Sequence, residues 1–508
     1  MISRLALTNI INRPWRSLLL LFGYGTGVGV MIVLLSIGEA LLTQARDEKL
    51  VGGGEITVLP QGLDIEVMKT GGVGGLFFSI DHSRFIYRQL LASPRLDQEV
   101  NAVAPQIDGR LMYMRTLSGR EVAVRAGGDI PSRTRAVGAG PALASGEWSD
   151  DDGDRRWIAP RPDELRHEID HFHLPPDSVR NRESWAEWHY FNVLSADGER
   201  WAFISLIVAG DVTGERGGGS VTVTLREENR SERRFASYVP RDRVAFSTSR
   251  ADLSIGESRV SVTPDGDYRV DAMAPAARGR ETVTVHLAVH PEPHAYFPGA
   301  SYTSREFVSG YTVPALRGEA TGTICVANVC ERFSGAQAYH DHNWGVWHGV
   351  TWDWGASRAG PYSILYGRMQ SPEGQGTSTP LIVYLVDSLG FRAVFRPRAI
   401  SYDDGRTIRI GRKPVRVPSR ASFADIRGGD TLRVDLEIED AIGTDNRAQS
   451  QAVGPFGNYR REERGDVSRA EADTRRYFIQ MKGIAKISGR IGGEKIEGSG
   501  AGFFETYR

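Results

Sequence analysis

The stretch Ala338-Tyr339-His340-Asp341-His342-Asn343-Trp344-Gly345, followed by Trp347, His348, Trp352, Asp353, Trp354 and Gly355, gathers two of the scarcest side-chain types, His and Trp, into one short run. Read as a strand, it puts His340 and His342 on one face and Asp341 on the other, because side chains alternate with period 2. Trp352 and Trp354 share a face for the same reason. Two imidazoles, a carboxylate and several indoles can protonate something apolar, hold a metal or simply pack, and the flanking sequence must decide between these.

The same period recurs on both sides. Trp185–Val193, Trp201–Val208, Ser220–Leu225, Arg259–Thr263, Thr282–His290, Glu319–Val326, Gln337–His342, Tyr362–Met369, Leu381–Asp387, Arg392–Phe395, Thr431–Ile438 and Tyr477–Ile487 all read as strands. Most alternate apolar with polar residues, as at Val221, Val223 and Leu225. Turns such as SADGER, TPDGDY and SYDDGR divide them. Many short strands with regular turns and almost no helix imply a mainly β fold, sandwich or barrel. About 320 residues exceed one small barrel, so two in tandem are expected, 183–330 and 331–508. The Arg- and Glu-rich stretch Asp440–Asp473 reads as a long loop capping one mouth.

The chain has only two cysteines, Cys325 and Cys330. With Ala327-Asn328 as a two-residue hairpin turn they face each other, close enough for a disulfide. Free thiols and a zinc site with His340 and His342 are the alternatives, although the spacing fits none of the usual zinc patterns.

A chain of 508 residues is too long for one core. A net charge of -1 gives no support to a nucleic-acid partner, and a mean hydropathy of -0.31 makes most of the mass soluble. One segment differs. Ser17–Gly38 carries no charge and, at about 22 residues, is long enough to cross a bilayer. Arg4, Arg13 and Arg16 precede it, so the positive-inside rule puts the N-terminus in the cytoplasm and the bulk outside. A cleaved signal peptide is the competing reading, but the apolar run is long for one and no small-x-small site follows. The expectation is a single-pass anchor (1–50) in the inner, cytoplasmic membrane, with the bulk periplasmic or extracellular.

Residues 51–140 read as a small α+β segment. It has a short strand at Glu55–Leu59, a helix at Ser83–Ala92 stopped by Pro94, and strands at Ala102–Ala104, Leu111–Met114 and Glu121–Val124. Met68–Gly75 lacks the G-K-[ST] ending of a phosphate loop. In 141–182, Ser149–Arg156 reads as a solvated acidic turn, with calcium binding the alternative although no EF-hand spacing follows. HEIDHFHLPP brings His167, His171 and His173 near Asp170, as a metal cluster or as an extended, Pro-terminated linker lying on a barrel; the linker is the expectation.

Two resemblances add to this. Arg4–Leu41 and GGGEITVLPQG at Gly52–Gly62 resemble the start of MacB-type ABC-exporter permeases, as far as about Gly140. Such permeases carry three further transmembrane helices, which this chain lacks. The resemblance therefore implies docking to ABC permease or ATPase subunits, or a gene fusion, rather than a translocation path. WAEWHYFNVLSADGERWAF (Trp185–Phe203), VPALRGEATGTI (Val313–Ile324), AYHDHNWG (Ala338–Gly345) and GRIGGEKIEGSGAGFFETYR (Gly489–Arg508) resemble the AttH family. That family includes carotenoid 1,2-hydratases (hydroxyneurosporene synthases). Over about 155–508 the resemblance implies two consecutive lipocalin-like barrels.

Two functions remain open at this level. A binding module would hold a hydrophobic small molecule or lipid beside the membrane, linked to an ABC exporter; this is the expectation. A hydratase or isomerase would protonate an isoprenoid or polyene double bond. It needs an acid raised by burial, and aromatic faces that stabilise the cation. Asp341 or His340 would be the acid and His342 would orient water. Trp344, Trp352, Trp354, Tyr366 and Trp188 would line the cavity. Glu187 and His189 share a face in the first barrel, Trp188 and Tyr190 the other. Glu187 is either a second titrating group or the partner of an Arg, the latter being expected. His286 and His290 fall on one face near a barrel rim. Asp341 points away from the two histidines, so both faces of its strand cannot serve one cavity. No cofactor and no metal is expected.

Overall fold

The computed structural model describes residues 14–47, 56, 80–92, 94–96, 99–138, 149–177, 179, 182, 185–214, 216–227, 230–277, 279–303, 308–346, 350–370, 379–445 and 477–508. Trp347, His348, Met68–Gly75, nearly all of Glu55–Leu59 and most of Asp440–Asp473 lie outside them. Residues 440–445 are not loop but the end of a strand.

The chain divides into two units. The first contains helix α1 (Pro14–Asp47), within which Pro14–Ser36 is long and apolar enough to cross a membrane, as an anchor or a signal sequence would be. Its other elements include an antiparallel hairpin of β1 (Gln106–Arg115) and β2 (Glu121–Asp129). Ala102–Ala104 forms no ladder and precedes β1 as irregular chain.

The second unit contains helix α2 (Ile80–Ala92), helix α3 (Pro162–Ile169) and two large antiparallel sheets. The first sheet uses β3 (Trp185–Leu194), β4 (Arg200–Ala209), β5 (Gly218–Glu227), β6 (Arg233–Pro240), β7 (Val244–Phe246), β8 (Asp252–Ile255), β9 (Ser258–Val262), β10 (Tyr268–Pro275), β11 (Thr282–Pro291), β12 (Phe297–Thr303), β13 (Val308–Val326) and β14 (Val329–Val346). Its order is β6-β5-β4-β3-β14-β13-β11-β10-β9-β8-β7, with β12 on β13. A bridge between Phe235 and Ala276 brings β6 back beside the end of β10, so the sheet curls into a nearly closed barrel. Pro314 lacks the N–H a ladder needs, and the register of β13 shifts between Thr312 and Ala315 to accommodate it.

The second sheet is a half-barrel. It uses β15 (Thr351–Ala359), β16 (Tyr362–Gln370), β17 (Ile382–Asp387), β18 (Gly390–Phe395), β19 (Ser401–Asp403), β22 (Arg420–Arg427), β23 (Asp430–Asp445), β24 (Tyr477–Ile491) and β25 (Glu494–Tyr507), with the hairpin β20 (Arg406–Ile410) and β21 (Lys413–Val417) separate. The fold is mainly β, with two barrel-type sheets in tandem. The division between them falls after Val346, not at residue 330, because β14 is a central strand of the first sheet, paired on both edges. Cys325 and Cys330 are joined by a disulfide across the β13–β14 hairpin.

Three apolar clusters follow. One fills the first barrel around Phe191, Ile204, Val223 and Val270; another fills the second sheet around Ile364, Tyr366, Val434 and Phe504. The third lies in the seam between the sheets, around Tyr190, Phe203, Tyr339, Trp354, Tyr384 and Phe503. Strands β3 and β14 are therefore covered on both faces, and β3 loses the burial alternation of a one-sided strand over its last residues.

Candidate functional site

The HEIDHFHLPP segment does more than lie on the barrel. Helix α3 opens on Pro162, an N-terminal position suited to a residue without an N–H, and Glu164 reaches back to the Arg161 amide at 3.0 Å. Its Arg166 donates to the Pro314 carbonyl at 2.7 Å, docking the helix at the shifted register of β13. The chain then turns inward. The Phe172 amide donates to Ser247 O at 3.0 Å and the Phe172 ring stacks on Phe246 in the barrel core. Asp170, between these anchors, is completely buried.

Period 2 places His189 on β3 and His340 and His342 on β14 on the same face, and Asp170 arrives in their midst. His342 Nδ1 lies 2.6 Å from Asp170 Oδ1, and His340 Nε2 lies 3.1 Å from Asp170 Oδ2. Tyr268 donates its hydroxyl to Oδ2, and His189 Nδ1 stands 3.6 Å from Oδ1. His340 Nδ1 faces the Tyr190 carbonyl at 3.1 Å, which fixes its ring. Next to this group Glu187 accepts from the His173 amide at 2.8 and 2.9 Å, and stands 3.0 Å from His173 Nδ1 and 2.8 Å from His342 Nε2. The expected arginine partner of Glu187 is replaced by the histidines His173 and His342.

The electrostatics follow from burial and charge. Burial opposes ionisation of Asp170, but His189 and His342 outweigh it and hold its carboxyl well below the usual range. Burial also opposes the charge on His342, yet Asp170 and Glu187 push it up to about 10. Burial, then the neighbouring His342, drives His189 well below its ordinary value. The cluster is thus an ion-paired knot centred on Asp170 and His342.

The opposite face of the same two strands carries a different set. Asp341 Oδ2 accepts from Tyr339 Oη at 2.8 Å and Oδ1 from Asn343 Nδ2 at 2.6 Å. Tyr339 in turn accepts from Trp354 Nε1 at 2.8 Å. Glu505 on β25 accepts from Tyr190 Oη at 2.8 Å and from Trp352 Nε1 at 2.9 Å, and Gln480 donates to the Tyr190 hydroxyl at 2.7 Å. Among the described residues, neither Asp341 nor Glu505 has an ion pair. Burial, then the neighbouring Glu505, raises Asp341 to about 8; burial also raises Glu505. Around Trp352, the half-buried rings of Trp188, Phe478 and Tyr507 lie with centroids 6.3, 5.4 and 5.0 Å away.

The residues singled out in sequence therefore fall into separate places. His340, His342, His189, Glu187 and Trp344 face the barrel interior, and Trp344 stacks on His173 at 3.6 Å. Asp341, Trp352, Trp354 and Trp188 face the seam. Tyr366 joins neither set; it lies in the second sheet between Phe423 and Phe504. Asp353 accepts from Arg368, Tyr402 and Thr506. His286 and His290 are exposed on the outer face beside Asp271 and Asp267. Sequence reasoning missed Glu505, Gln480, the bonding of the Tyr190 hydroxyl to them and the central place of Asp170. For Glu505 a signal existed, a lone carboxylate at an alternating position in GFFETYR.

No family model and no curated protein matches the chain. Among solved structures it is similar to a protein assigned as AttH from Nitrosomonas europaea, with 14% identity over 66% of this chain and 97% of that one and a TM-score of 0.43. It is also similar to kievitone hydratase from Nectria haematococca (12% identity, 67% and 94% covered, TM-score 0.37) and to CghA with Sch210972 (12% identity, 69% and 96% covered, TM-score 0.40).

Proposed function

We propose that the chain takes a hydrophobic small molecule of isoprenoid or polyene type at the aromatic seam between its two sheets, and adds water to, or shifts, one of its double bonds by acid catalysis. One observation carries this reading: Asp341 and Glu505 are two buried carboxyl groups without a cation, raised by that burial and set among indoles and phenols. A carboxyl raised to about 8 keeps its proton at neutral pH, which an acid that protonates an alkene requires. Aromatic faces stabilise the carbocation that follows. Water then bonds to that carbon and returns a proton to the carboxylate; loss of a neighbouring proton instead gives the isomer. His340 and His342 face away and take no part. The half-buried Trp352, whose indole N–H donates to Glu505, lies on the side from which an apolar substrate would reach the pair.

The test uses the full chain in detergent. Lipids extracted from it are identified by mass spectrometry, and the purified protein is then incubated with that fraction in ¹⁸O-water. One incorporated oxygen, lost in Asp341→Asn and in Glu505→Gln, supports hydration. Conversion without a change in mass supports isomerisation. A bound lipid that emerges unchanged and is retained by both variants replaces this reading with simple carriage of a lipophilic ligand.

The location belongs to the same proposal: α1 holds the chain in the inner membrane with both barrels outside the cytoplasm. Association with ABC-exporter subunits, implied by the MacB-type resemblance, is tested by crosslinking in membranes and identification of what is retained.

A further inference from the structure

The seam chemistry leaves the histidine–carboxylate set on the inner face of β3 and β14 without a task. We propose that His173, Glu187 and His342 bind one divalent first-row transition metal of the zinc class. His342 Nε2 and His173 Nδ1 lie 2.8 and 3.0 Å from the same oxygen, Glu187 Oε1. The ligand atoms of the three residues all fall within 4.8 Å of one another. Atoms held about 2.0–2.2 Å from a single ion lie within roughly 4.4 Å of each other, so only a small closure is needed. Two imidazoles and one carboxylate form a donor set that zinc and its neighbours accept, the ion displacing to solvent the Nε2 proton that His342 otherwise holds, with a further position left for water.

A second observation points to the same place. Among the described residues, buried His342 Nε2 makes no well-aligned hydrogen bond, although its ion-pair partner Glu187 Oε1 is only 2.8 Å away. The ring nitrogen is therefore aimed off the line to that oxygen. An ion bonded to both atoms would sit off that line as well. The surroundings are those of a supported ligand set. Asp170 Oδ1 takes the far nitrogen of His342 at 2.6 Å. Glu187 Oε2 accepts the His173 amide at 2.9 Å, and Trp344 stacks on the His173 ring. Among the described residues, neither Asp170 nor Glu187 has a Lys or Arg ion pair, so a divalent ion would balance both charges. The adjoining set of Asp170, His189 and His340 is also compact, but it is sealed and both Asp170 oxygens are already engaged. The side chain of His173 is 24% exposed and gives the ion a way in. Bound there, the ion would fasten the segment after α3 to the barrel.

The test uses the full chain in detergent, stripped with a chelator and dialysed against Zn²⁺ or Co²⁺ alone. The expected result is one ion per chain by elemental analysis, with a Co²⁺ visible spectrum of a low-coordinate nitrogen–oxygen site. His173→Ala, whose folding is checked by circular dichroism, should weaken binding about tenfold or more and abolish that spectrum. His286→Ala and Asp341→Asn should leave both unchanged, which separates this site from the seam. Substoichiometric binding by the wild type, or equal binding by His173→Ala, overturns the proposal.

Discussion

Asp341 and Asp170 are buried on opposite faces of the same pair of strands, and their linkage to pH has opposite sign. Unfolded, each carboxyl titrates near about 3.9. Folded, Asp341 holds its proton up to about 8. Between about pH 4 and 8 the folded chain thus binds a proton that the unfolded chain does not, and stability falls as pH rises through that window. Asp341→Asn removes this dependence, so urea titrations should show the variant gaining on the wild type from pH 5 to pH 9. An unchanged difference across that range would mean that Asp341 is ionised in the fold. Asp170, held low, contributes stability that is present above about pH 4 and lost as pH falls further. Asp170→Ala leaves the charged His342 buried beside Glu187 alone, and the loss should be about 3–5 kcal/mol by denaturant midpoint. The sequence shows part of this directly. Period 2 separates Asp341 from His340 and His342, and Trp188 from Glu187 and His189; the pairing of β3 with β14 that unites the histidines with Glu187 is not legible. Asp170 is not legible, because its burial depends on where α3 docks, and nothing in HEIDHFHLPP specifies the partner.

At the scale of elements, the segment after α3 acts as a plug. Phe172 is its apolar anchor, stacked on Phe246 at 3.7 Å between ring centroids. Phe172→Ala should cost about 3–5 kcal/mol in global stability. If it leaves the thermal midpoint unmoved, the segment is not part of the barrel core. The β13–β14 hairpin supplies an independent case. Ala327, at its tip, has φ of 53°, the only positive value among described non-glycine residues. A two-residue turn with positive φ at its first position prefers glycine there. Ala327→Gly should therefore raise stability by about 0.5–1 kcal/mol. Facing of the cysteines across this turn was readable from residue counting alone. The extent of β14 was not, since alternation marks a strand but does not name its neighbours, and β14 belongs with the strands that precede it.

In the second unit, the two sheets and the seam between them give three apolar clusters. The seam joins apolar packing to two buried carboxyl groups, Asp341 and Glu505, that have no ion pair among the described residues. The proposed location of the chain in the inner membrane turns on the N-terminal helix. The exposed side chains of α1 between Pro14 and Ser36 are almost wholly apolar, as a bilayer requires and water does not. If this segment spans, the full chain should remain with membranes through an alkaline carbonate wash. A double substitution, Tyr24→Asp with Val28→Asp, should release it, because each acid near the middle of a span costs about 2.5–3.5 kcal/mol on insertion. The intact mass of the purified protein separates an anchor from a cleaved signal. A span retains the residues around Trp15, whereas a mature N-terminus beyond Ser36 would assign α1 to export and leave the barrels free of the membrane.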